Sequence, residues 1–154
     1  MKAMTIISRI IRGIAVIMTT CLLTPATAYA AAPQEEASEV IFEINQVRKG
    51  YGLTQLSADT ELANVATVRA EETSKSFSHT RPDGTPWWTV NEDIAYGENL
   101  AKGYTSASDV FAAWMQSTSH KDNILDPDFD SVSIRIYVSD DGTWYWASEF
   151  GDRR

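Results

Sequence analysis

Apolar residues repeat with a helical period through the first two thirds of this chain and then switch to strict alternation. Val40, Ile44 and Val47, with Ile41 alongside, fall on one helical face, and Gly50 and Gly52 end that helix. A second helix starts near Ser57 or Asp59, either of which can cap it. Within it Ala63, Ala66 and Ala70 recur at helical spacing beside Leu62, a small-residue face that can approach a sheet closely. Arg69 lies near that face, where its simplest role is an ion pair with a carboxylate. Ser106-x-x-Asp109 reads as a capping box opening a third helix, whose apolar side is Val110, Phe111, Trp114 and Met115. Between Ser74 and Gly103 the chain reads mostly as loop, because Pro82, Gly84, Pro86, Gly97 and Gly103 interrupt any regular pattern. Phe77, Trp87, Trp88 and Tyr96 argue against disorder there, since they supply surface that folding can bury.

The last part of the chain predicts a hairpin. Val132, Ile134, Ile136 and Val138 alternate with polar residues, and so do Trp144, Trp146 and Phe150. A two-residue loop around Asp140-Asp141-Gly142 would pair Val138 with Tyr145 and put the tryptophans opposite the isoleucines. A three-residue loop pairs Val138 with Trp144, Ile136 with Trp146 and Val132 with Phe150. Only the second gathers every large apolar side chain on one face, so the register follows from burial. It also puts Gly142 at the left-handed position of a bulged type I turn.

The first 30 residues read differently. Lys2, Arg9 and Arg12 precede the apolar run Gly13 to Leu23, and Ala28-Tyr29-Ala30 supplies a small-x-small cleavage pattern. This predicts a signal peptide over residues 1–30, cut after Ala30, and a short flexible lead over residues 31–37. The alternative is an uncleaved anchor, but the run is short for a bilayer span. Cys21, the sole cysteine, lies inside the apolar run and not at its end, which disfavours lipid attachment. The mature chain then has no cysteine, which excludes a disulfide framework and a thiol nucleophile. Losing three positive and no negative charges takes the net charge from -8 to -11. So acidic a surface repels phosphate backbones, and nucleic acid is not an expected partner.

Three motifs in order carry the chemistry: Ser78-His79-Thr80-Arg81-Pro82-Asp83-Gly84, Gly97-Glu98-Asn99-Leu100-Ala101, and Trp114 to Leu125 with Ser117 and His120 inside it. Together they hold both histidines. In this order and spacing they resemble the CAP superfamily, cysteine-rich secretory proteins, antigen 5 and pathogenesis-related proteins, and among these the small secreted bacterial members. The resemblance covers residues 38–151. It implies an α+β fold, a three-layer α-β-α sandwich with a central antiparallel sheet, and a secreted, extracellular, monomeric protein.

Family members gather two histidines and two acidic residues in an open cleft. The resemblance makes His79 the first histidine, Glu98 the glutamate of the second motif, with Asn99 beside it, and His120 the second histidine. The second acid falls at Ser117, so the match is incomplete. Arg135 stands where such proteins often have glycine, and brings a charge near the cleft or the sheet edge. Two imidazoles, His79 and His120, with Glu98 as a third donor, suit a divalent metal such as zinc. The same groups could act as general acid and base. Structural roles stand beside these: His120 near the end of the third helix would complement its dipole, and His79 could bond backbone in the Pro-Asp-Gly turn. No nucleophile or complete acid–base pair can be named. The sequence thus predicts a cleft binding a ligand or metal without turnover. An extracellular metal-assisted hydrolase is the alternative, and a lipid- or envelope-binding module using Trp87 and Trp88 is the third reading.

Overall fold

The computed structural model describes residues 25–152, so the basic and apolar parts of the predicted signal peptide, with Cys21, lie outside the described residues. The elements run α1 (Pro25–Gly50), β1 (Ser57–Ala58), α2 (Thr60–Lys75), a 3-10 turn (Trp87–Val90), β2 (Gly97–Lys102), α3 (Ala107–Gln116), α4 (Thr118–Leu125), β3 (Ser131–Val138) and β4 (Trp144–Gly151). The strands form one sheet in the order β1-β3-β4-β2, with α2 on one face and α1, α3 and α4 on the other. This is the expected α+β, α-β-α sandwich. Its three long strands are antiparallel, and the two-residue β1 adds a parallel edge, so the sheet is mixed.

The hairpin takes the register that burial demands. Val132 pairs with Phe150, Ile136 with Trp146 and Val138 with Trp144. Gly142 has φ 82° and its N–H donates to the Ser139 carbonyl at 2.8 Å, closing the bulged turn. Val132, Ile134, Trp144, Trp146 and Phe150 bury together against Val40 and Ile44 of α1, Val110 and Trp114 of α3, and Ile124 of α4. The opposite face is narrower in volume: Ala70 of α2 meets Leu100 and Ala147, so the alanine stripe brings α2 down onto the sheet as its composition suggests.

Three expectations change, and one pair of alternatives resolves. The segment 31–37 is not a flexible lead: α1 runs through it, Ala37 is buried, and the Glu36 carboxylate accepts the Ala107 N–H at the start of α3. The helix α2 is capped by Asp59, whose carboxylate accepts from the Glu61 and Leu62 N–H groups, while Ser57 belongs to β1. The stretch read as loop up to Gly103 contains β2, hidden because Gly97 and three polar residues give it no alternating pattern. Gly97 has a steric reason: a Cβ there would meet the Phe129 ring at 2.8 Å. The third helix breaks at Ser117, so His120 stands in the first turn of α4 and not at a helix C-terminus. A favourable dipole for its protonated form is therefore lost.

The fully buried Arg48, near the end of α1, went unremarked in the sequence. It donates to the carbonyls of Thr54, Ile124, Asp126 and Phe129, tying α1 to the end of α4 and the approach to β3. These carbonyls lie where chain direction changes and have no ladder partners, so the guanidinium satisfies what the backbone cannot.

Candidate cleft at the edge strand

The edge strand β2 carries the site. Its alternation sends Glu98 and Leu100 toward α2, and Gly97, Asn99 and Ala101 toward α3 and α4. Side chains cover its outer carbonyls: Asn123 Nδ2 donates to Glu98 O at 3.2 Å, and Trp114 Nε1 donates to Leu100 O at 3.2 Å.

On the α2 side Glu98 is buried. Arg69 Nε donates to its Oε2 at 2.6 Å, and His79 Nδ1 lies 2.7 Å from its Oε1. Arg69 also donates to the Ser78 carbonyl at 2.7 Å and to Glu72, which in turn accepts from Arg81. Burial opposes the charge on Arg69, but the hydrogen bonds and charges of Glu98 and Glu72 outweigh it and raise its pKa. The loop bearing His79 is thus pinned on both sides of that residue by one ionic network. The expected structural ion pair of Arg69 is there, and its acceptor is a site residue. A carboxylate facing Nδ1 assigns that nitrogen its proton, leaving the Nε2 lone pair on an imidazole whose side chain is 56% exposed.

On the other side His120 is half-buried, and burial, then the nearby His79, lower its pKa. It stays neutral through a wider pH range than an ordinary histidine. Asn99 holds α4 in place: its Nδ2 donates to the His120 carbonyl at 2.9 Å and its Oδ1 accepts from Asn123. Asn99 therefore sits behind the cleft as a brace for His120. Ser117 and His120 line a cavity of about 300 Å³ with Leu100, Ala101, Tyr104 and Trp114, and Phe77 and Lys102 line it too. Lys102 Nζ lies 5.1 Å from the Phe77 ring centre. His120 thus lines the cavity from α4, while His79, brought by the loop after α2, stands on the Glu98 side of β2 and is not among the residues lining that cavity.

Metal ligation finds a partial donor set. Among the described residues no three His, Cys, Asp or Glu side chains gather as a metal-holding group. Both Glu98 oxygens already serve Arg69 and His79, so Glu98 is not a free ligand and two imidazoles do not complete a zinc site. Arg135 is away from this cleft: it lines a separate cavity of about 310 Å³ with Ser38, Thr60 and Ser133. Trp87 and Trp88 pack edge to face at 5.8 Å, and neither is buried, so they do not close the core. The residue that sequence reasoning missed here is Glu149, a fully buried carboxyl directly across the strand pair from Glu98. Its signal was a charge beside Phe150 at the position pointing away from the tryptophans.

The molecule is thus an α-β-α sandwich whose edge strand has a His79–Glu98 pair on one side and His120 on the other. Residues 41–150 match the CAP family, the cysteine-rich secretory protein family, and the chain belongs to it. It is 32% identical over 113 residues to the uncharacterized protein YkwD of Bacillus subtilis (strain 168), covering 69% of this chain and 44% of that relative. The chain thus spans under half the length of that protein. Among solved structures it is similar to an outer surface protein from Borrelia burgdorferi, with TM-score 0.69, 26% identity, and 78% of this chain and 94% of that one covered. An extracellular SCP-domain protein from Bacillus anthracis str. Ames aligns with TM-score 0.71 and 21% identity, over 85% of this chain and 44% of the other. The outer surface protein among these relatives supports an extracellular localisation. No helix among the described residues is long and apolar enough to cross a membrane.

Proposed function

We propose that this chain is an extracellular binding protein, and that the cleft at β2 takes a small ligand with an apolar body and a hydrogen-bonding end. One observation carries this reading: a cavity of about 300 Å³ walled by Leu100, Tyr104 and Trp114 has the half-buried His120, Ser117 and Lys102 among its lining residues. Apolar walls with a few convergent polar groups are what small-ligand sites share. His79, held by Glu98, is outside the lining of this cavity, and its side chain is 56% exposed. The chain acts as a monomer in this reading. It is exported by cleavage after Ala30, which leaves Pro33 in the first turn of α1, where a missing N–H costs nothing.

Binding is tested by titrating the native mature protein with a panel of small apolar alcohols, amides and carboxylic acids. His120→Ala and Ala113→Trp should each weaken a bound compound at least about tenfold. Equal affinity in both variants would reject the site. Zinc is the informative control. With His79 and His120 as the two protein donors, it should bind weakly and be lost as the imidazoles protonate. Tight one-to-one zinc binding would instead favour a metal site.

A second reading, hydrolysis with His79 as general base, has one observation in its favour: the 2.7 Å contact between Glu98 and His79 Nδ1. Turnover of activated esters that disappears in His79→Ala and survives chelator would support it. A lipid- or envelope-binding role rests on Trp88, which is 45% exposed. Vesicle binding lost in Trp88→Ala would support that one.

A further inference from the structure

Glu149 is fully buried on β4, and neither of its carboxyl oxygens receives a hydrogen bond from any N–H or hydroxyl. Such a group is costly unless neutral or paired. Three elements pack around it. From β2, Glu98 is its direct cross-strand partner, on the same face of the sheet. From β3, its partner is Ser133, whose hydroxyl is turned away to donate to the Asp59 carbonyl at 2.6 Å. From α2, Arg69 approaches but gives its donors to Glu98, Glu72 and Ser78. His79 and Arg81 bear on the cluster only through Glu98 and Glu72. Two buried carboxylates against the single guanidinium of Arg69, itself shared with Glu72, would leave an uncompensated buried negative charge.

We propose that Glu149 is the second carboxyl of this site: it keeps a proton, donates a hydrogen bond through it to Glu98, and thereby positions Glu98 as a singly charged acceptor for His79 Nδ1–H. The motif position that lacks an acid, Ser117, is on the opposite side of β2, so the second carboxyl arrives from a different element. As a positioning residue, Glu149 keeps the cluster of Arg69, Glu98 and itself electrically neutral. An ionised Glu149 would leave that cluster with a net buried negative charge. Burial, then the charge of Glu98, push the Glu149 carboxyl well above the usual range, and Arg69 only partly opposes them. Only the consequence for ligand binding rests on the proposed cleft; the proton itself is measured with no ligand present.

The sign of the pH dependence follows from where the proton sits. With its folded-state pKa raised, Glu149 contributes no penalty below the ordinary glutamate value, and stability is lost as pH rises from there to its own titration. Glu149→Gln keeps the shape and an N–H donor for Glu98 but has nothing to titrate. The unfolding constant of the native protein, relative to this variant, should rise by about tenfold per pH unit across that window. A flat ratio, or a variant that loses ground as pH rises, would overturn the proposal, because an ionised Glu149 paired to Arg69 behaves so. Carbon-13 titration of the Glu149 carboxyl in the native protein needs no variant. A step well above the ordinary glutamate range supports the proposal, and a step within that range overturns it even if Glu149→Gln fails to fold. Nitrogen-15 shifts of His79 add a readout of position: the Nδ1–H tautomer should persist in Glu149→Gln, and a native protein showing the Nε2–H tautomer would contradict the arrangement.

Discussion

Glu98 engages its oxygens with Arg69 and His79 while its own backbone carbonyl accepts from Asn123, so one residue joins α2, the loop after it, β2 and α4. Removing its charge leaves the buried Arg69 guanidinium with Glu72 as its remaining hydrogen-bonded carboxylate. Glu98→Gln should therefore destabilise the fold by about 3 kcal/mol, read by urea unfolding, since breaking one side of a buried pair leaves the other less compensated. His120 behaves differently because its pKa is depressed. Its neutral form is favoured in the folded state, so stability it supports above the ordinary histidine value is lost as pH falls through its folded pKa. His120→Gln should make the unfolding midpoint less sensitive to pH between neutrality and mild acid. An unchanged pH profile would show that the imidazole is not the group responsible. Gly97 was legible as a motif residue but not for its reason, which is the Phe129 ring against its Cα. Gly97→Ala should cost about 1–3 kcal/mol by overpacking.

At the scale of elements, the alternation of Val132 to Phe150 made the hairpin and its register readable, because period-two patterning has only one solution that buries both tryptophans. Gly142→Val tests it: a branched residue forced to φ 82° should cost at least about 1 kcal/mol in thermal or chemical unfolding. The helices α1, α2 and α3 were readable for the same reason, and Asp59 and Ser106 marked the starts of the last two. The strand β2 was not, since an edge strand between a buried carboxyl network and an asparagine brace needs polar residues that look like loop. The break at Ser117 was also hidden: Ser117 to Asn123 reads as a polar continuation of α3. That break turns His120 into a first-turn residue of α4 and aims it at the cavity. Arg48 belongs here too, because its partners are carbonyls and leave no trace in a pattern of side chains. Arg48→Met should cost about 2–4 kcal/mol by orphaning buried carbonyls, measured by denaturant unfolding.

Across the whole molecule, one sheet separates two unequal halves: a thick apolar layer under α1, α3 and α4, and a thin one under α2 that contains the ionic network. The cavity opens where that sheet ends at β2, with His120 in its lining and His79 on the α2 side of the strand. The motifs singled out His79, Glu98 and His120 from sequence alone; Glu98 lies on β2, His79 in the loop after α2 and His120 on α4. What they did not carry was which groups are occupied: Glu98 is engaged within the protein, Asn99 holds α4, and Glu149 replaces the acid missing at Ser117 from another element. Such allocations depend on cross-strand partners, and the chain order does not reveal those until the strand is recognised. The central claim, that ligand enters the cavity at β2, is tested most directly by nuclear magnetic resonance of the labelled mature protein. Imidazole signals of His120 and indole signals of all five tryptophans are followed while small apolar compounds are added. Saturable shifts at His120 and Trp114, with Trp87 and Trp88 unmoved, are the predicted result. Saturable shifts confined to Trp87 and Trp88, or no saturable shift at His120 with any compound, would contradict it.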